Sequence, residues 1–136
     1  MSNMFSGCIS LKFLVLNNFN TKNVINMRNM FFNCNSLTSL DLSNFNTQNV
    51  INMRNIFSWC SSLTSLDLSN FNTQKFTEMS YLFSGCNSLK YIDISSFTKI
   101  NNIFKGANFP GNCTIAINNM FNNTKVCNCQ IVIKNN

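Results

Sequence analysis

Twelve residues, LTSLDLSNFNTQ, occupy positions 37–48 and recur letter for letter at 63–74, 26 positions further on. A repeat of this kind restricts the fold sharply. Each unit has to adopt the same conformation and bury its apolar face against its own copy. The period runs through most of the chain. Phe5, Phe31, Phe57 and Phe83 follow it, as do Cys8, Cys34, Cys60 and Cys86, and Leu11, Leu37, Leu63 and Leu89. Leu14, Leu40, Leu66 and Ile92 take the same step, with Leu16, Leu42, Leu68 and Ile94, and with Phe19, Phe45, Phe71 and Phe97. Residues 30–55 and 56–81 share 16 identities in 26 positions, so the two units are copies.

The period breaks after Phe97. Ile103-Phe104 echoes Met30-Phe31 after a loop five residues shorter, and Ile115-x-Ile117 and Ile131-x-Ile133 read as two further strand pairs 16 apart, with Met120-Phe121 between them. The chain is read as one domain, 1–136. Residues 1–97 form regular units, and 98–136 form two shortened ones that cap the C-terminal end, where atypical repeats are expected. MSNMF at 1–5 is in register with MRNMF at 27–31, so the sequence starts in mid-unit. The expectation is a fragment of a longer repeat protein, or a start at an internal repeat methionine. No basic stretch followed by an apolar one marks a secretory leader.

Within one unit, Leu40 and Leu42 alternate with Ser39, Asp41 and Ser43, the period of a strand with one buried face. Ser43 and Asn44 turn the chain. Thr47 or Asn49 then stands where a helix N-cap would. Val50, Met53, Ile56 and Phe57 follow at spacings of three, three and one, which predicts one face of a short helix. The fold class expected is therefore an α/β repeat: a leucine-rich-repeat-like solenoid with short parallel strands on one side and short helices on the other. A single unit cannot bury its leucines, its phenylalanine and its helix face. Stacked units can, at roughly 1.5–3 kcal/mol for each large side chain buried.

The run MFSGCxSLxxLxLxNFNTxNVxNM resembles the BspA-type leucine-rich repeat, and more narrowly the 26-residue form of mycoplasma-type surface lipoproteins grouped as DUF285. Residues 4–97 carry the motif; 98–136 match it poorly. Leu11-x-x-Leu14-x-Leu16 fits the general leucine-rich-repeat strand, but Phe19 stands where the usual asparagine would, so the standard asparagine ladder is absent or moved. The resemblance implies a non-enzymatic surface protein that binds a host or cell-surface protein or glycan. The alternative is an intracellular structural or protein-interaction scaffold that stays reduced in the cytoplasm.

The residues themselves argue against catalysis. There is no histidine, which removes the commonest general base and every His-based triad. The acids number four, Asp41, Asp67, Glu78 and Asp93, and no phosphate-cradling glycine loop or nucleophile motif is present. The three aspartates repeat at 26 and predict an outward carboxylate row. The serines beside them are too few for the six or more oxygens calcium takes, so a solvated face is expected and no cofactor. The net charge of +6 is spread over Lys12, Lys22, Arg28, Arg54, Lys75, Lys90, Lys99, Lys105, Lys125 and Lys134 rather than gathered in a stripe, so no nucleic-acid partner is expected. No segment reaches the roughly 18 apolar residues of a membrane span.

Seven cysteines leave an odd one. Parallel stacking keeps Cβ atoms near the ~4.8 Å strand spacing, beyond the ~3.5–4.5 Å a disulfide prefers. Cys8, Cys34, Cys60 and Cys86 are therefore expected as buried thiols. Cys113, Cys127 and Cys129 are too few for a four-ligand zinc site, and a disulfide among them stays open. The sequons Asn112-Cys113-Thr114 and Asn122-Asn123-Thr124 are accidents expected of a chain in which asparagine is about a fifth of the residues.

The candidate binding face is the outward side of the strands: Phe13, Val15 and Asn17; Ser39, Asp41 and Ser43; Ser65, Asp67 and Ser69; Tyr91, Asp93 and Ser95. Phe13 and Val15 stand where later units carry Ser and Asp, and with Tyr91 they are its least generic members. The open terminal unit also predicts edge-to-edge self-association.

Overall fold

The computed structural model describes residues 1–121, 125–126 and 129–134. The Leu-x-Leu alternation gives the strands its period requires. In β1 (Ser65–Asp67) Leu66 is buried while Ser65 and Asp67 face out. β1 pairs in parallel with β2 (Tyr91–Asp93), Leu66 opposite Ile92 at the repeat distance. β3 (Cys113–Asn118) and β4 (Cys129–Lys134) continue the sheet in the order β1-β2-β3-β4. The two isoleucine pairs lie in register, Ile115 opposite Ile131 and Ile117 opposite Ile133. In the first units single bonds carry the same line. Thr38 N–H donates to the Lys12 carbonyl at 3.1 Å and Thr64 N–H to the Thr38 carbonyl at 3.4 Å. Successive units thus lie side by side, bonded at an offset of one repeat.

The helices expected on the other side are absent from the described residues, where the one helical element is a 3-10 turn at Asn119–Phe121. Val50, Met53, Ile56 and Phe57 are all fully buried, as the helical spacing demanded, but the backbone between them is not helical. Asn55 and Trp59 sit in the left-handed region at φ 57° and 64°. Local bonds span three residues, Ile56 N–H to Met53, Ser58 N–H to Asn55 and Cys60 N–H to Phe57. Between them, Asn55 and Trp59 donate instead to the Ser80 and Ser84 carbonyls of the next unit, at 3.1 and 2.7 Å. Three overlapping four-residue turns therefore mimic the spacing of a helix face while sharing their backbone bonds with a neighbour. Thr47 caps no helix. Its hydroxyl accepts the Asn72 N–H at 2.8 Å and donates to the Asn72 carbonyl at 3.1 Å, as Thr21 does with Asn46.

Between strands and turns lies one core. The rings of Phe5, Phe31, Phe57, Phe83 and Phe104 stack in sequence with centroids 5.6, 6.0, 6.3 and 5.8 Å apart. Stacked aromatic pairs contribute about 0.5–1.5 kcal/mol beyond the area they bury. One residue before the Phe19 position in the unit, Asn70 and Ser96 bond to carbonyls of the preceding unit, and Asn118 of β3 does likewise. Asn70 Nδ2 donates to the Leu42 and Ser43 carbonyls at 3.1 and 3.0 Å, Ser96 Oγ to Leu68 at 3.0 Å, and Asn118 Nδ2 to Ser95 and Phe97 at 3.0 and 2.7 Å.

Of the four laddered cysteines, Cys34, Cys60 and Cys86 are buried and Cys8 is exposed, correcting the expectation of four buried thiols. Cys8 belongs to the first unit of the stack described, which packs against the second. Leu11 of the same unit is only partly buried where Leu37 and Leu63 are fully so. Cys113 is a buried thiol opposite Cys129 in the β3–β4 register. Cys127 and the sequon at 122–124 lie outside the described residues.

Candidate functional site

The strand face is largely where the alternation puts it. Phe13 and Val15 are 73% and 72% exposed, and Asn17, Ser39, Asp41, Ser43, Ser65, Asp67 and Ser69 are exposed with them. The aspartates in this row are tied to their own backbone. Asp41 Oδ1 accepts the Ser43 N–H and Asp67 Oδ1 the Ser69 N–H, each at 2.9 Å, the short-range turn that aspartate favours. The backbone bond from Ser43, with its side chain, holds the Asp41 carboxyl below the ordinary carboxylate value. Among the described residues no three side chains of metal-ligating type gather.

The last member of the row departs from the expectation. Asp93 is 1% exposed and Ser95 is buried with it, so neither belongs to the solvated face. β3 lies beside β2 and β4 beside β3, and both run past the end of β2. Lys134 of β4 reaches over to pair with Asp93 Oδ2. The other carboxylate oxygen accepts Ser95 Oγ at 2.6 Å and Ser95 N–H at 3.0 Å, and Tyr91 donates its hydroxyl to Oδ2 at 3.2 Å. Burial alone would raise this carboxyl, but the hydrogen bonds from Lys134 and Ser95 outweigh it and hold it below the usual range. Tyr91 stays on the rim of the face, 36% exposed. The exposed row therefore reads aromatic and aliphatic at its first unit, acidic and hydroxylated in the middle, and Tyr91 at its far edge.

A second grouping lies on the turn side, among residues the sequence showed only as scattered charges. Arg54 and Lys105 stand over the ring of Tyr81, with Cζ and Nζ 5.7 and 5.2 Å from its centroid. They come together because the turns of consecutive units are in register: Tyr81 N–H donates to the Asn102 carbonyl at 3.0 Å. The signal in sequence was Tyr81 itself, an aromatic at a position that units before and after fill with asparagine.

A family model described as "Mycoplasma protein of unknown function, DUF285" matches residues 1–131. The chain belongs to the DUF285 family. No curated protein and no solved structure matches it. The DUF285 match runs through β3 and the first half of β4 as well as the regular units. That description assigns no activity.

Proposed function

We propose that this DUF285 chain is a non-enzymatic binding module, displayed at the cell surface, in which stacked units form a leucine-rich-repeat-like solenoid and the exposed strand face engages a protein or glycan. The observation that carries the reading is the pair Phe13 and Val15, nearly three-quarters exposed on a face where the next units present Ser39 and Asp41. Apolar side chains left in water at repeat positions that otherwise carry polar ones mark an interaction surface. Tyr91 adds an amphipathic ring at the rim of the same face, a residue type enriched where proteins bind.

The absence of histidine from the sequence and the use of the acids support a binding role over a catalytic one. Asp41 and Asp67 close their own turns and Asp93 is paired with Lys134. The surface assignment rests on the resemblance of the repeat to those of surface lipoproteins. Its test is protease shaving of intact source cells, with released peptides identified by mass spectrometry. Peptides from this repeat released from intact cells are the expected result. A protein abundant in lysate but never shaved would contradict display and favour the intracellular scaffold.

A further inference from the structure

We propose that the turn side carries a second binding site, a pocket for an acidic saccharide built around Tyr81, with Arg54, Lys99 and Lys105 as the groups that recognise its anionic substituents. None of the twelve strand-face residues lines this pocket, so the proposal stands apart from the reading of that face.

Tyr81 is the first reason. It lies at φ 60°, at a position that Asn3, Asn29, Asn55 and Asn102 fill in other units at φ 58°, 55°, 57° and 60°. Asparagine tolerates left-handed backbone; a ring-bearing residue does so at a cost. Backbone kept in an unfavourable region points to a use for the side chain that needs it. The ring draws in two cations, Arg54 at 5.7 Å and Lys105 at 5.2 Å, both within cation–π range. Two positive groups held at one ring raise the local positive potential, and an anionic ligand at the site is favoured by it.

The cavity is the second reason. It measures about 630 Å³, is open-sided, and adds Lys99 to the two cations, with Glu78 as its only carboxylate. That volume suits an oligosaccharide segment and is far larger than a lone phosphate needs. Besides the cations the lining offers Thr77, Ser80 and Asn101, neutral donors and acceptors of the kind that pair with sugar hydroxyls. Arg54 and Lys105 converge on one ring instead of tracking a backbone, which separates this site from a nucleic-acid groove.

The experiment is isothermal titration of the whole chain with three probes: a heparin-derived octasaccharide, a hyaluronan oligosaccharide and a neutral dextran oligosaccharide. At least one acidic probe should bind and the neutral one should not. Preference between the first two tells sulfate from carboxylate recognition. Tyr81→Asn introduces the residue that other units place there, so the backbone stays compatible while the ring is lost. It should weaken binding at least tenfold, and Arg54→Gln with Lys105→Gln should do the same without touching the turn. Lys12→Gln with Lys22→Gln removes equal charge elsewhere and should change affinity less than twofold. The proposal is overturned if neither acidic probe binds, if dextran binds as well, or if the Lys12 and Lys22 pair weakens binding as much as the Arg54 and Lys105 pair.

Discussion

The thiol of Cys60 donates a hydrogen bond to the carbonyl oxygen of Phe31, 3.1 Å away and 29 residues earlier in the chain. Cys34 makes the same bond to Phe5 and Cys86 to Phe57, each at 3.0 Å. A small apolar side chain with one weak donor thus ties each unit to the carbonyl of the unit before it. The row of cysteines is a structural element of the stack.

Thiol chemistry should follow this arrangement. Burial pushes the Cys34 thiol up to about 11 and the Cys86 thiol up to about 12, from an ordinary value of 9.0. At pH 8 iodoacetamide should modify exposed Cys8 and leave Cys34, Cys60 and Cys86 unmodified until the protein is denatured. The same shifts fix the pH dependence. Above about pH 9 the unfolded chain releases these thiol protons while the folded chain retains them. Stability is therefore full below pH 9 and falls as pH rises from about 9 to 12. Urea midpoints between pH 8 and 10.5 should decline, and a Cys86→Ala variant should decline less steeply.

Thr47 should be replaceable by serine and not by valine. Its buried hydroxyl serves both the N–H and the carbonyl of Asn72. Thr47→Val keeps the shape but leaves those groups without their partner, at a cost of about 1–3 kcal/mol. Thr47→Ser loses one methyl, about 0.8 kcal/mol. Chemical denaturation of the two variants should rank them in that order.

Gly85 and Trp59 should be coupled. Gly85 lies at φ 73°, and a Cβ there would come within 2.9 Å of Trp59 Cδ2 and 3.0 Å of Cε3. Gly85→Ala should cost more than the about 1–2 kcal/mol of left-handed backbone alone, because the rigid indole has to move. Trp59→Asn, which installs the residue found at Asn33, removes that ring. In its background the penalty of Gly85→Ala should shrink to the backbone part. A double-mutant cycle reads the difference, and an unchanged penalty would contradict the contact.

The strands and the core were legible because burial leaves a direct mark on sequence: Leu40, Leu42, Leu66 and Leu68 alternate, and the phenylalanines recur at 26. The turns were misread for a physical reason. Val50, Met53, Ile56 and Phe57 carry the spacing of a helix face, and a run of four-residue turns buries the same set. What separates the readings is a quieter signal, the pairs Asn3 and Gly7, Asn29 and Asn33, and Asn102 and Gly106, four residues apart and all left-handed. Asparagine and glycine at that spacing announce reversals that no helix interior would hold. The burial of Asp93 could not be read from its own repeat, because it depends on Lys134, whose short unit no longer keeps the period. Likewise Arg54, Tyr81 and Lys105 are neighbours only through the register of the turns.

The strand face is tested most directly by binding of labelled chain to an array of extracellular-matrix proteins and glycans, compared with a Phe13→Ser, Val15→Asp, Tyr91→Ser variant. The first two substitutions install the residues of the next unit, Ser39 and Asp41, and leave the buried leucines alone. Both chains carry Arg54→Gln and Lys105→Gln, so that the Tyr81 pocket contributes nothing. The expected result is saturable binding to at least one array component, reduced tenfold or more in the variant. Binding that is absent, or equal in the two chains, would contradict the assignment of recognition to this face.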